Sequence, residues 1–393
     1  MTRPRLAARL AGFGTSVFTE ITALAAEHGA VNLGQGFPDF DAPALVREAA
    51  RAGVAAGRNQ YVRSAGLPDL TAAIAAHVRR HRGLDFDAER EITVTSGATE
   101  AIAAALIALL EPGDEVLAFE PAYDSYPACA AMAGATLRAV PLEPPGWAWS
   151  REALERAVGP RTRVLLLNTP HNPTGKVWSR AELAELAELC QRHDLVAVTD
   201  EVYEHLVFEG EHVPLASLPG MRDRTVTVSS GGKTFSATGF KVGWALAAAE
   251  LTRAVRTTHQ FLTFCSPGPL QLAIAAGLSA PEDYFHALRV EYVARRDRLL
   301  EALAGAGLSP IRPAGTYFVC VDPRPLGFDD DAAFCRALIR DVGVAAIPVS
   351  ALRLAPAGAP PLARFAFCKR DETLDEAARR LRAGVPRLRP GVG

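Results

Sequence analysis

Long apolar runs, a surplus of one charge sign and paired cysteines are all missing from this 393-residue chain. No stretch reaches the ~18 uncharged apolar residues of a membrane helix, which argues against a membrane-embedded protein. Lys and Arg total 42 and Asp and Glu 44, a formal net charge of -2. That balance offers no basic field for nucleic acid or an anionic membrane, and there is no acidic tail. Cys129, Cys190, Cys265, Cys320, Cys335 and Cys368 are scattered, with no CxxC and no metal-like spacing. Neither a disulfide framework nor a metal site is expected, and a reducing, cytoplasmic compartment is. Cys190, in AELAELAELCQRH, and Cys320, in TYFVCV, read as core residues. The opening MTRPRLAARLAGFGTSVF has Arg9 and Gly12 inside its apolar run, which leaves no signal-peptide core. No internal repeats are visible, and small molecules are the expected partners.

What is present is ordinary globular material, 49% hydrophobic and 22% charged, enough for two or three domains. Short apolar runs alternate with helix-period stretches. EITVTSG, DEVLAFEPAY, TRVLLLNTP, DLVAVTDEVY, RTVTVSSGG and KVGWALAA read as strands, several of them followed by helices. This alternation predicts an α/β layer with a mostly parallel sheet covered on both faces. The large domain is placed at residues 46–280, with residues 1–45 as an N-terminal arm that joins a smaller α+β domain at 281–393. A long helix at EDYFHALRVEYVARRDRLLEALAGAG leads into that part, followed by strands at GTYFVCVD and LARFAFCKR and a last helix at TLDEAARRLRAG. APAGAPP at 355–361 and EPPGW at 143–147 read as loop and turn.

In open parallel sheets ligands gather at the carboxyl ends of the strands. Polar residues fall there repeatedly. Ser96-Gly97-Ala98-Thr99 stands between a strand and an Ala-rich helix, where free amides favour an anion, although the same pattern is also a plain helix cap. Asn172-Pro173-Thr174-Gly175 is a stiff turn after RVLLL that would hold an amide in place. Asp200 closes VAVTD, and a buried carboxylate there needs either a salt bridge or a cationic ligand; Tyr203 could share its pocket. Ser230 and Lys233 lie just past TVTVSS, within SSGGKTFSATGFKVGW, where small residues leave room around an amine. An amine, an acid, a phenol, an amide and a phosphate cradle at neighbouring strand ends suit pyridoxal 5′-phosphate.

With these residues in view, NLGQGFPDF, NQYVRSAG, EPAYDSY, NTPHNPTGK, TDEVYEHLVF, SSGGKTFSATGFKVGW and RFAFCKR together resemble a fold type I, class I/II aminotransferase across nearly the whole chain. The likeness is to the kynurenine/glutamine/methionine aminotransferase branch. DPRPLGFDD, VGVAAIPVSA and FCKRDETLDEA are similar to the actinobacterial N-succinyl-diaminopimelate aminotransferases. The resemblance implies a mostly parallel seven-stranded sheet sandwiched by helices, with a smaller α+β domain. It places Lys233 at the Schiff-base lysine, Asp200 at the acid facing the pyridine nitrogen, and Tyr203 and Asn172 at the donors to the cofactor phenolate. Tyr123 matches the ring-stacking aromatic. Ser230, Lys241 and Gly97, Ala98 and Thr99 match the phosphate cradle, and Arg364 matches the clamp on the substrate α-carboxylate. Tyr61 matches a tyrosine that reaches the neighbouring subunit's phosphate, which implies a homodimer with shared sites. Lys241 is often Arg in the wider family, and Cys265 stands where the kynurenine enzymes have His.

The activity so implied is ping-pong transfer of an amino group from an L-amino acid to a 2-oxo acid such as 2-oxoglutarate. Candidate donors are N-succinyl-LL-2,6-diaminopimelate or Met, Gln and aromatic amino acids. Gly36, Phe37, Tyr123 and Phe264 are expected to line an apolar substrate pocket. Arg63 is either a surface residue or a partner for a distal carboxylate such as a succinyl group. A C–S β-lyase acting on cysteine conjugates would use the same residues and would release pyruvate without consuming an oxo acid. A cofactor-binding regulator would need a DNA-binding module, for which the family pattern, beginning by residue 31, leaves no room.

Overall fold

The computed structural model of the protein describes residues 7–355 and 358–389. The first six residues of the arm and Pro356 and Ala357 of the APAGAPP loop lie outside the described residues. A seven-stranded sheet forms from β1 (Ile92–Thr95), β2 (Glu115–Glu120), β3 (Thr136–Pro141), β4 (Thr162–Asn168), β5 (Val196–Asp200), β6 (Thr225–Ser230) and β7 (Gly243–Leu246). Its order is β1-β7-β6-β5-β4-β2-β3. Only β7 runs against its neighbours, pairing antiparallel with both β1 and β6. The architecture is therefore α/β with a mostly parallel sheet. Of the seven strands, β3 is the one the apolar pattern does not announce. It is an edge strand, with Thr136 and Arg138 exposed, and so never needs a continuous apolar run.

β4 shows why the central strands read so clearly. Val164 and Leu166 join one buried cluster with Ile102 and Leu106 of the helix Ala98–Leu109, whereas Leu165 and Leu167 join another with Trp178, Leu183 and Leu186 on the opposite face. Successive side chains point to opposite faces, so in β4 the sheet, covered on both sides, takes apolar residues at successive positions. The covering helix Arg180–Arg192 starts at a capping box: the Ser179 amide donates to Glu182 at 2.9 Å, and the Ser179 hydroxyl accepts from the Glu182 amide at 3.2 Å. Cys190 and Cys320 are buried, and residues 144–147 form a turn closed by a Glu143–Ala148 bridge.

A second, four-stranded antiparallel sheet contains Pro310–Ile311, Phe318–Val321, Ile347–Pro348 and Ala363–Ala366. Beside it, Val31–Asn32 of the arm pairs in parallel with Val344–Ala345 in a separate two-stranded sheet. The helix Glu282–Gly305 packs on the helix Asp371–Gly384 through Arg298, which is ion-paired with Asp371 at 3.0 Å. Among the described residues no helix is long and apolar enough to cross a membrane.

The helix Pro68–Arg82 locks onto the segment after β5 through a buried histidine pair, with His77 Nε2 2.8 Å from His205 Nε2. Arg82 Nε donates to Glu204 at 2.9 Å beside it. Burial pushes His77 down to about 4, with Glu204 opposing and His81 and Arg82 reinforcing the shift. The unfolded chain, titrating near 6.5, thus binds more protons than the native state between pH 6.5 and 4, and stability falls as pH falls through that window. From pH 6.5 to 5 we expect a loss of roughly 2 kcal/mol from this group. Urea unfolding at a series of pH values measures it, and His77→Gln should flatten the profile; an unchanged slope would refute the assignment.

Candidate active site

The carboxyl ends of β4, β5 and β6, together with the start of the helix that follows β1, border a cavity of about 420 Å³. Gly36, Phe37, Gly97, Ala98, Thr99, Tyr123, Asn172, Asp200, Tyr203, Ser230, Lys233, Lys241 and Arg364 all line it. These residues lie far apart in the chain, and the parallel crossovers bring them together.

Asp200 ends β5 and is buried. Its Oδ2 accepts from the Tyr126 hydroxyl at 2.6 Å, and Oδ1 from the Val202 amide at 3.4 Å. Burial pushes its carboxyl up, and the Tyr126 hydrogen bond and the Lys233 charge oppose that. Lys233 sits in the short helix Gly231–Thr234 directly after β6, its Nζ 5.7 Å from the ring centres of both Tyr203 and Tyr317. Burial lowers its pKa and so increases the neutral amine fraction, with the Asp200 charge opposing. Burial likewise raises the Tyr203 and Tyr123 phenols, Tyr123 to about 12, so both remain proton donors at neutral pH.

Arg364 is almost wholly buried. It donates from Nη1 to Asn172 Oδ1 at 2.9 Å and from Nη2 to the Gly34 carbonyl at 2.8 Å, with its guanidinium 4.0 Å from the Phe318 ring centre. Its Nε is buried without a partner among the described residues. A buried unpaired donor on a cation is costly, and a carboxylate in the cavity would satisfy it.

Backbone geometry forms the anion cradle. Gly97 has φ +81°, and a Cβ there would stand 3.0 Å from Lys241 Nζ. On Gly243 a Cβ would meet the Gly97 carbonyl carbon at 2.5 Å, so the two chains approach as only glycines allow. Lys241 is itself left-handed, φ 53°, which sets its ammonium against the first turn of the helix Ala98–Leu109. There the amides of Ala98 and Thr99 have no intrahelical acceptor.

Two expected residues lie elsewhere. Tyr61 and Phe264 do not line the cavity of their own chain; they meet edge to face at 5.4 Å, 87% and 42% exposed. Arg63 lines neither this cavity nor any other described, and pairs with Glu89 through two contacts of 2.9 and 3.3 Å. The sequence reading missed Tyr126, Asn168, Asp124 and Phe318, all of them lining residues. Asn168 carried a legible signal, a polar side chain closing an apolar strand; its Oδ1 accepts from the Asn172 amide at 2.6 Å and its Nδ2 donates to the Asp200 carbonyl at 2.8 Å. Tyr126 carried none, because only the fold brings it under Asp200.

A buried lysine whose pKa is lowered, a buried acid and a glycine cradle at the strand ends of this sheet fit a pyridoxal-phosphate-dependent transferase of fold type I. The chain matches aminotransferase class I and II over residues 28–381, and it belongs to that family. It is 52% identical over 384 residues to a probable N-succinyldiaminopimelate aminotransferase of Mycobacterium tuberculosis, covering 95% of this chain and 97% of the relative. It is 42% identical over 375 residues to the methionine aminotransferase of Escherichia coli, covering 95% and 97%. The solved N-succinyldiaminopimelate aminotransferase from Mycobacterium tuberculosis superposes with a TM-score of 0.93 over 96% of this chain and 100% of that one. The protein is an aminotransferase that depends on pyridoxal 5′-phosphate.

Proposed function

We propose that Lys233 is the residue that carries the cofactor and that Arg364 receives the α-carboxylate of the amino donor. The observation that carries this reading is the meeting of Lys233, its pKa lowered by burial, the buried Asp200 and the orphaned Nε of Arg364 in one cavity. When bound, pyridoxal phosphate supplies an aldehyde that accepts the amino group and a ring that draws electrons from the substrate Cα–H bond. Ser230, Lys241 and the amides of Ala98 and Thr99 would hold the phosphate. Asp200 would serve the ring nitrogen, and a cation there would reverse the upward push that burial gives its carboxyl. Tyr203 and Asn172 would donate to the ring oxygen, and Tyr123 would pack against the ring. Lys233 Nζ would act as the base that takes the proton from the substrate Cα. Residues 46–280 form the cofactor-binding unit, and residues 281–393 with the arm of 1–45 form the unit that supplies Arg364.

The working state is a cytoplasmic homodimer. Tyr61, Phe261, Leu262 and Phe264 expose apolar surface next to one another in chain or space, and a second subunit would cover it while delivering Tyr61 to its neighbour's phosphate. Phe264 would reach a substrate pocket by the same route. The donor is N-succinyl-LL-2,6-diaminopimelate, with methionine second and 2-oxoglutarate as acceptor; the 52% identity to the mycobacterial relative supports that order. The test is the visible spectrum of the holoenzyme before and after each donor, with sedimentation for the dimer. Conversion of the aldehyde band by N-succinyl-diaminopimelate supports the reading, and a band that no amino acid alters overturns it.

A further inference from the structure

A second cavity, about 1100 Å³, opens beside the first and shares Ser16 and Asp124 with it. Its wall brings together the arm around Phe13, the turn Ala122–Ser125 and residues 348–354. The joint is tight: the Ala122 amide donates to the Leu352 carbonyl at 2.7 Å, and the Leu354 amide to Glu120 Oε2 at 2.9 Å. Arg353 lies between those two clips and lines the cavity. Its Nε and Nη2 are both buried and meet no acceptor among the described residues, and the same holds for Ser125 Oγ on the same wall.

Nε and Nη2 form the edge of a guanidinium that grips a carboxylate through two parallel hydrogen bonds. Arg379 uses that edge on Glu376 at 2.8 and 2.7 Å in this same chain. On Arg353 it is desolvated and empty-handed, and leaving two charged donors so is costly enough to call for a ligand. The other charges on the cavity wall are Arg336, Glu20 and Asp124, and burial pushes the Asp124 carboxyl up. Arg63, the sequence's candidate for a distal carboxylate, is already paired with Glu89.

Building on the proposed function, we propose that Arg353 binds the far carboxylate of a long amino donor whose α-carboxylate lies on Arg364. The donor class is an amino acid with a second carboxylate at the end of an extended tail. The inner cavity holds the reacting end, the outer cavity holds the tail, and the wall shared through Ser16 and Asp124 is the passage between them. Methionine has no such carboxylate and would not engage Arg353.

The test compares wild-type holoenzyme with Arg353→Gln and Arg353→Lys. With N-succinyl-LL-2,6-diaminopimelate as donor, Arg353→Gln should raise KM about 10- to 100-fold, the usual range for a lost charge-assisted pair, with kcat little changed. Arg353→Lys should recover part of the loss, since it keeps the charge without the fork. KM for methionine should stay within about twofold, a split that a general packing defect would not produce. Calorimetric binding of pimelate, with hexanoate as the one-carboxylate control, reads the site independently of amino transfer. Weaker pimelate binding with unchanged hexanoate binding in Arg353→Gln supports the proposal even if neither donor reacts. Equal effects on both members of either pair, or no effect on either, overturn it.

Discussion

Lys233→Ala is expected to lose at least about 10,000-fold in kcat, because in the proposed mechanism one substitution removes both the covalent anchor and the general base. The cradle does not depend on Lys233: Ser230, Lys241 and the first turn of the helix Ala98–Leu109 border the same cavity. The variant should still take up pyridoxal phosphate, without the absorption of the lysine-bound aldehyde. Its fold should persist, since Lys233 lines the cavity and contributes nothing to the buried apolar clusters. Steady-state assays and the spectrum together decide the matter. Multiple turnovers at the wild-type rate would remove Lys233 from the mechanism.

Asp200→Asn should cut kcat about 100- to 1000-fold while leaving the melting temperature near that of the wild type. The asparagine has the same shape, and its amide oxygen can still accept from the Tyr126 hydroxyl, now 2.6 Å from the carboxylate. What disappears is the negative charge that, in the proposed mechanism, would face the ring nitrogen and keep it protonated. Tyr126→Phe tests the support beneath that charge, and a loss of about 10-fold is expected from one hydrogen bond to an ionised group. Retention of more than about a tenth of kcat in Asp200→Asn would place the ring's charge under other control.

The apoenzyme adds a check from the amine itself. Burial lowers the Lys233 pKa, so its neutral fraction at a given pH exceeds that of free lysine. Uptake of pyridoxal phosphate by the apoenzyme should therefore rise with pH and level off below the ordinary lysine value near 10.4. A midpoint at the ordinary value would show that the cavity does not shift the amine.

Six of the seven sheet strands were legible as apolar runs, because a sheet covered on both faces leaves room for little but apolar residues and small threonines such as Thr93 and Thr227 except at strand ends. Those ends then stood out: Asp200, Ser230 and the cradle at Gly97 are polar or small residues following apolar strands, and the family resemblance supplied their roles. The edge strand β3 was silent because its exposed face accepts Thr136 and Arg138. What a sequence could not decide is which distant side chains share a volume. Tyr126 under Asp200, Arg63 paired with Glu89, and Arg353, whose Nε and Nη2 find no acceptor among the described residues, all depend on packing between distant segments. Periodicity and strand ends are local properties of a chain, whereas the pairing or orphaning of a buried charge is settled only when packing removes it from water.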